Sequence, residues 1–145
     1  MLTAGAGRLV SPFANDPFAL VALAFKNLCP EREYAAYFVP EVEDGSGGAA
    51  CGVTTFPEDG SPPIVEVSGE IPITAGVEIF AHELAHVATP EDREHGEVWK
   101  AAFDRIFEEY NRIAQDIFGE SGEEPCHTIQ RLQKRRRGFP LRLKN

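Results

Sequence analysis

The chain has 145 residues, a length that suits one compact domain and is short for two. Hydrophobic residues make up 43% and charged residues 26%, ordinary globular values that argue against wholesale disorder and against a fibrous architecture. No apolar run approaches the roughly 18 residues that would cross a bilayer, so the sequence predicts no membrane contact and no signal peptide.

Charge is distributed unevenly along the chain. The net charge is −9, yet seven of the 14 Lys and Arg residues lie after Gln130, where there is no Asp or Glu. An acidic body repels nucleic acid, whereas a basic tail could bind nucleic acid, dock onto a protein partner or fold back on the body. We therefore expect residues 126–145 to form a basic C-terminal tail with one of these roles.

Residues 1–14 are rich in Gly, Ala and Ser with little periodicity, which indicates a flexible N-terminal segment. The sequence Asn15-Asp16-Pro17 then supplies a capping residue followed by proline at a first helical position. We predict a helix over residues 17–28.

Three short β-prone runs follow, at residues 34–39, 51–56 and 64–67. A Gly-rich turn over residues 41–48 separates the first two, and a segment with Pro and Gly at residues 57–63 allows the last two to pair antiparallel. The sequence predicts a small, mostly antiparallel sheet of about three strands.

Two helices follow the strands. Thr74 can cap a helix over residues 75–88, which has an apolar face and ends before Pro90. Apolar residues recurring at intervals of three and four then predict a long helix over residues 95–118. We expect these helices and the N-terminal helix to pack against the sheet as one α+β domain over residues 15–125.

The three cysteines, Cys29, Cys51 and Cys126, are widely spaced and form no C-x-x-C pair. This pattern is not typical of a disulfide framework, a zinc ribbon or a dithiol redox site. It favours a reducing compartment, and we expect a cytoplasmic protein.

The predicted helix over residues 75–88 carries the sequence His82-Glu83-Leu84-Ala85-His86. Histidines four apart project from one face of a helix, about one turn from each other, and can bind a single zinc ion. Glu83, on the same turn, can accept a proton from a zinc-bound water and pass it to the leaving amine. The motif predicts a zinc-dependent hydrolase with one catalytic ion, and we expect a peptidase acting on a peptide or protein substrate.

A catalytic zinc ion needs a third protein ligand and an open position for water or substrate. His95 is our choice, because the proline after the helix forces a turn that lets the chain return to the metal. Asp92 is the main rival, since it has the spacing of the third ligand in H-E-x-x-H-x-x-G-x-x-H/D, although Thr89 replaces the glycine of that pattern. Glu108 or Glu109 on the following helix is a further alternative.

The motif H-E-x-x-H, followed by His95-Gly96 and Trp99, resembles the SprT-like branch of the zincin metallopeptidases. Residues 50–68 are also similar to the sheet segment that precedes the active-site helix in that family. The resemblance implies a zincin-like fold with three histidine ligands, His82, His86 and His95, and with Glu83 as the general base.

The resemblance also implies a cleft beside an edge strand, along which a substrate peptide lies extended. For this pairing we nominate Ile64, Val65, Glu66 and Val67. The C-terminal zinc ribbon of many SprT-like proteins has no counterpart, because Cys126 stands alone in that region.

Four further side chains are candidates for assisting roles. Tyr110, His127 and Arg93 could each donate a hydrogen bond that stabilises the transition state, although their spacing places none of them at the zinc. Glu78, one turn before His82 on the same face, could orient that ligand through a hydrogen bond.

Two other functions compete with a general peptidase. In one, the chain is a non-catalytic module stabilised by zinc, whose basic tail contacts nucleic acid or a protein partner. In the other, the tail makes the chain a peptidase of nucleic-acid-bound proteins. Glu83 favours an enzyme over a binding module, because a purely structural zinc site does not need a base beside its ligands.

Overall fold

The computed structural model describes residues 10–43 and 49–118, and within these ranges the chain has an α+β architecture. The elements in chain order are α1 Pro17–Leu28, β1 Ala35–Val39, β2 Val42–Glu43, β3 Ala49–Ala50, β4 Gly52–Thr55, β5 Ile64–Ser68, α2 Ile73–Ala88 and α3 Glu97–Phe118. The predicted basic tail, His127 within it, and most of the predicted N-terminal segment lie outside the described residues.

The main sheet has three strands in the order β1-β5-β4. β4 and β5 pair antiparallel, as predicted from the short segment that joins them. β1 and β5 pair parallel, so the three-stranded sheet is mixed. Parallel pairing requires a crossover, and residues 40–63 provide it with β4 and the small antiparallel pair of β2 and β3.

The prediction that residues 64–67 form an edge strand is wrong. β5 is the central strand, and both of its sides are occupied: Ile64 pairs with Ala35 on one side and with Thr55 on the other. A further strand cannot add to β5, because its backbone groups already face two neighbours. In the sheet order of the described residues, the terminal strands are β1 and β4.

Helix α1 has the predicted bounds. The Asp16 carboxylate accepts hydrogen bonds from the backbone N–H groups of Phe18, at 2.9 Å, and Ala19, at 3.3 Å. These are N–H groups that the first turn of a helix leaves without partners. The capping residue and the proline therefore do what their order in the sequence predicted.

Helix α2 begins two residues before its predicted start. The Pro72 carbonyl accepts a hydrogen bond from the N–H of Gly76, at 2.9 Å, so the first helical turn is already closed there. Thr74 lies inside the helix and does not cap it, which corrects the prediction. Helix α3 begins two residues later than predicted, at Glu97, because the backbone of His95 is left-handed.

The hydrophobic core lies between the sheet and the helices. Helix α2 packs against β4, β5 and α3, while α1 packs against both other helices. Most of the apolar stripe predicted for α3 is buried, while Ala102 is partly buried and Ile117 at its end is half exposed; the buried members are Trp99, Phe103, Ile106, Tyr110 and Ile113. Leu84 in α2 is fully buried, so Leu84→Ala would cost about 2–5 kcal/mol of stability.

No helix within residues 10–43 and 49–118 combines the length and the apolar character needed to cross a bilayer.

Helix α2 is enclosed on two sides, by the sheet and by α3. The histidine motif on α2 is therefore held on a rigid element.

Candidate metal centre

Two of the three predicted metal ligands lie on α2, one turn apart. His82 is buried, with 3% of its surface exposed, and its ring centroid lies 4.6 Å from that of Trp99 on α3. His86 is partly buried, and its ring lies 5.1 Å from that of His82. The helix period brings both imidazoles to the face that meets α3, as the i, i+4 spacing predicted.

His95 comes from the loop between α2 and α3 and completes a cluster of three imidazoles. Its Nε2 atom lies 2.9 Å from Nε2 of His86 and 3.0 Å from Nε2 of His82. One nitrogen from each of the three residues falls within 4.8 Å of the other two. The structure therefore unites the three histidines that the sequence predicted as metal ligands.

The geometry of this cluster fits a metal ion. Nitrogen ligands at about 2.0–2.1 Å from a tetrahedral zinc ion lie about 3.3 Å from each other, close to the separations between these atoms. Hydrogen bonding alone cannot satisfy the cluster, because His95 Nε2 carries at most one proton to share with two neighbouring nitrogens. The three side chains could thus hold a metal ion.

Electrostatics keeps the imidazoles neutral. Burial, together with the neighbouring imidazoles, lowers the pKa of His82 to about 3 and that of His86 to about 4. Burial also lowers the pKa of His95. At neutral pH each ring therefore has an unprotonated nitrogen, which is the form that binds a metal.

The backbone of His95 is in an unusual conformation. Its φ angle is +59°, and within the described ranges no other residue except a glycine has a positive φ. For a residue with a Cβ, the left-handed region costs about 1–2 kcal/mol. Such strain is typical of functional positions, and here it occurs at a predicted metal ligand.

Asp92, the main rival for the third ligand, has a different position. Its Oδ1 accepts a hydrogen bond from the N–H of Gly96, at 2.9 Å, and its Oδ2 accepts one from the N–H of Trp99, at 3.0 Å. These bonds from Trp99 and Gly96 lower the pKa of the carboxyl group. His95, and not Asp92, joins the histidine cluster.

The other alternative ligands are also directed elsewhere. Glu109 accepts hydrogen bonds from Asn27 on α1 and from Arg112 on its own helix. Glu108 is exposed to solvent. Neither glutamate belongs to the cluster of metal-ligating groups found in the described residues.

Trp99 packs against the whole cluster. Its ring centroid lies between 4.6 and 5.6 Å from those of the three histidines, and its Nε1 donates a 3.4 Å hydrogen bond to the carbonyl oxygen of His82. Trp99 also stacks on Phe103, with centroids 5.1 Å apart. The tryptophan of the His-Gly-x-x-Trp pattern thus forms one wall of the site.

Glu83, the predicted general base, is buried beside the first ligand, with 5% of its surface exposed. Thr54 on β4 donates a hydrogen bond from Oγ1 to Glu83 Oε2, at 2.6 Å. Burial raises the pKa of Glu83 to about 7, although the bond from Thr54 opposes this rise. A carboxyl group with this pKa can both accept and return a proton near neutral pH.

The candidates for assisting roles are in different surroundings. Tyr110 is buried in the core, and it lies eleven residues after Trp99, which is about 16 Å along the axis of α3. Arg93 is exposed, its guanidinium lies 5.0 Å from the centre of the Phe56 ring, and its charge adds to the effects of burial and His95 in lowering the pKa of His86. Arg93 is therefore the candidate near the cluster.

Glu78 is half-buried on α2, and a role in orienting His82 stays a prediction.

Sequence reasoning missed the roles of two other residues. Thr54 lies far from the motif in sequence, and no spacing rule connects it to Glu83. Asp92 was considered only as a metal ligand, although a carboxylate before a helix is also a typical cap.

No family model matches this chain, and neither the curated proteins nor the solved structures contain a significant match to it. The functional argument therefore rests on the contacts of the chain itself.

Proposed function

We propose that this chain is a zinc-dependent peptidase of the zincin type, in which His82, His86 and His95 hold one zinc ion and Glu83 is the general base. One observation carries the proposal. Nε2 of His95 lies within hydrogen-bonding distance of Nε2 of both His82 and His86, and the residue after His82 is a buried glutamate that accepts a hydrogen bond from Thr54.

Zinc is the metal that this set of ligands favours. Neutral imidazole is a common zinc ligand, and three protein ligands with an open fourth position are typical of catalytic rather than structural zinc sites. Among the described residues, the cluster contains three histidines and no fourth His, Cys, Asp or Glu. Residues 82–99 resemble the SprT-like pattern, and this resemblance also supports zinc as the metal.

The proposed reaction is the hydrolysis of a peptide bond. When bound, zinc would acidify the attacking water and polarise the scissile carbonyl. Glu83 would accept a proton from that water as the oxygen attacks the carbonyl carbon, and would deliver it to the amine nitrogen as the C–N bond breaks. Thr54 would hold one carboxylate oxygen of Glu83, so that the other is available for the proton.

The strand beside Glu83 is β4, and it replaces β5 as the candidate for substrate pairing. β4 is a terminal strand in the sheet order of the described residues, and its Thr54 contacts the general base directly. We propose that an extended peptide adds alongside β4, on the side that no strand of the described residues occupies. This arrangement would bring a scissile bond close to Glu83.

The metal content of the purified chain tests the first half of the proposal. We expect about one zinc per chain by elemental analysis, and loss of zinc in His86→Ala and in His95→Ala measured separately. Zinc retained in His95→Ala but lost in His86→Ala would contradict the three-histidine site. Absence of any bound divalent metal, even after reconstitution with zinc, would contradict the function.

Hydrolysis of a labelled unfolded protein, such as fluorescent casein, tests the second half. Glu83→Gln preserves the size of the side chain and the hydrogen bond from Thr54 but cannot accept the proton. We expect it to retain zinc and to lose activity by a factor of about 100 or more. Zinc binding without any hydrolysis that depends on Glu83 would favour the alternative, a zinc-stabilised binding module.

A further inference from the structure

Asp92 connects the end of α2 to the start of α3. Its backbone N–H donates a 3.0 Å hydrogen bond to the carbonyl oxygen of Thr89, the C-cap residue of α2. Its carboxylate accepts hydrogen bonds from the N–H groups of Gly96 and Trp99. Asp92 thus contacts the end of α2 through its backbone N–H and the start of α3 through its half-buried carboxylate.

The loop places His95 in a strained conformation that its neighbours must maintain. The φ angle of +59° is one that side chains with a Cβ rarely adopt, and an unrestrained loop would relax from it. The hydrogen bond from Gly96 to Asp92 closes a ring of the chain around His95. Gly96, the residue after His95, is therefore bonded to Asp92, which lies three positions before His95.

Gly96 shows how closely this ring is packed. A Cβ atom at position 96 would lie 2.8 Å from Oδ2 and 3.1 Å from Oδ1 of Asp92. A side chain there would push the carboxylate away from both N–H groups. The glycine that follows His95 is therefore needed for the approach of Asp92.

We propose that Asp92 is a positioning residue of the metal centre, whose carboxylate bridges Gly96 and Trp99 and thereby holds His95 in the left-handed conformation that directs its Nε2 at His82 and His86. The inference rests on the proposed function only in requiring that the three histidines bind a metal. It assigns to Asp92 no contact with the metal or the substrate.

If Asp92 positions His95, removing its carboxylate should lower the zinc affinity of the chain. Partners that orient a metal ligand typically change metal affinity by a factor of about 10–100 when they are removed. We expect Asp92→Ala to weaken zinc binding by about that factor, measured by competition with a chromogenic chelator on the full chain. Asp92→Asn keeps an acceptor oxygen for one of the two N–H groups and should give an intermediate affinity.

Asp16 provides a matched control. Its carboxylate also accepts two backbone N–H groups, both through Oδ1 and both at the start of α1, and Asp16 belongs to neither the loop nor the cluster. Asp16→Ala should therefore weaken a helix start without changing zinc affinity. Circular dichroism of each variant confirms that it is folded before its affinity is measured.

The absorption spectrum of bound Co²⁺ is a second measurement, and a loss of stability alone does not change it. The visible absorption of bound Co²⁺ depends on the number and geometry of its ligands. We expect Asp92→Ala to shift the Co²⁺ spectrum in the direction of His95→Ala, while Asp16→Ala keeps the wild-type spectrum. If Asp92→Ala does not fold, Asp92→Asn carries the same test with a smaller change.

Two results would overturn the inference alone: wild-type zinc affinity and Co²⁺ spectrum in a folded Asp92 variant, or equal weakening by Asp16→Ala. A wild-type chain that binds neither zinc nor cobalt would overturn the proposed function, and the inference with it. The measurements on wild type and on the variants therefore separate the two failures.

Discussion

Thr54 Oγ1 lies 2.6 Å from Glu83 Oε2 and 3.2 Å from the carbonyl oxygen of the same residue, so one hydroxyl contacts both the side chain and the backbone of the proposed base. This contact joins the sheet to α2, the helix that carries His82 and His86. Burial raises the pKa of Glu83, and the hydrogen bond from Thr54 opposes this rise.

We expect Thr54→Val to reduce kcat/KM for peptide hydrolysis by about tenfold while zinc content stays unchanged. The substitution keeps the shape of the side chain but removes a hydrogen bond to a buried carboxyl group, a loss typically of about 1.5–3 kcal/mol. Thr54→Ser retains the hydroxyl and should keep most of the activity. Full activity in Thr54→Val would show that Glu83 does not depend on this bond.

Gly52 gives a second prediction about the same contact between β4 and α2. A Cβ atom at this position would overlap Cγ2 of Ile79 and lie 3.1 Å from Oε1 of Glu83. We expect Gly52→Ala to push β4 away from α2, lowering the free energy of unfolding by about 1–3 kcal/mol, as overpacking does, and reducing activity.

Gly69→Ala is the control for this substitution. A Cβ at position 69 would lie 3.6 Å from the carbonyl oxygen of Val39, an ordinary van der Waals distance. Urea denaturation of both variants measures the difference between them. Equal stability of the two would contradict the close approach of β4 to the base.

Local patterns predicted much of the site. Three features depend on residues close together in sequence: the bounds of α1, the formation of α2 with His82 and His86 on one face, and the antiparallel pairing of β4 and β5. The position of His95 was also predicted, because a turn at a helix end leaves few ways for the chain to return. These features follow from helix periodicity, capping and short connections.

The rest of the fold depends on contacts that spacing does not reveal. The parallel pairing of β1 with β5 joins segments separated by the whole of β2, β3 and β4, so the sequence could not place β5 at the centre. Likewise, the spacing of Asp92 was compatible with a metal ligand and with a helix cap. Only the backbone conformation of His95 and the hydrogen bonds of Gly96 and Trp99 distinguish the two roles.

Removing the metal should destabilise the folded chain. The unfolded chain does not hold the three histidines together, so a zinc ion bound by them would stabilise the native state by RT ln(1 + [Zn]/Kd). We expect a chelator to lower the Tm of the wild-type chain and added zinc to restore it. His86→Ala is the control, because its Tm should respond to neither treatment; a wild-type Tm that is equally insensitive would contradict a zinc site of useful affinity.

Trp99 is the only tryptophan of the chain, and it lies against all three proposed ligands. Its fluorescence should therefore report metal binding directly. We expect Co²⁺, which quenches nearby indoles, to reduce the emission in proportion to occupancy until about one ion is bound per chain. Zinc, which has no unpaired electrons, should compete with Co²⁺ and restore the emission.

His95→Ala tests whether this quenching comes from the proposed site. Removing the third ligand should shift the Co²⁺ titration to higher concentrations by at least tenfold, because a site of two histidines binds the ion more weakly. Glu83→Gln leaves all three ligands in place and should titrate like the wild-type chain. Trp99 packs against His95 with ring centroids 4.7 Å apart, so Co²⁺ bound by His95 would lie close to the indole. The same titration in wild type, His95→Ala and Glu83→Gln would mean that His95 does not bind the Co²⁺ that quenches Trp99.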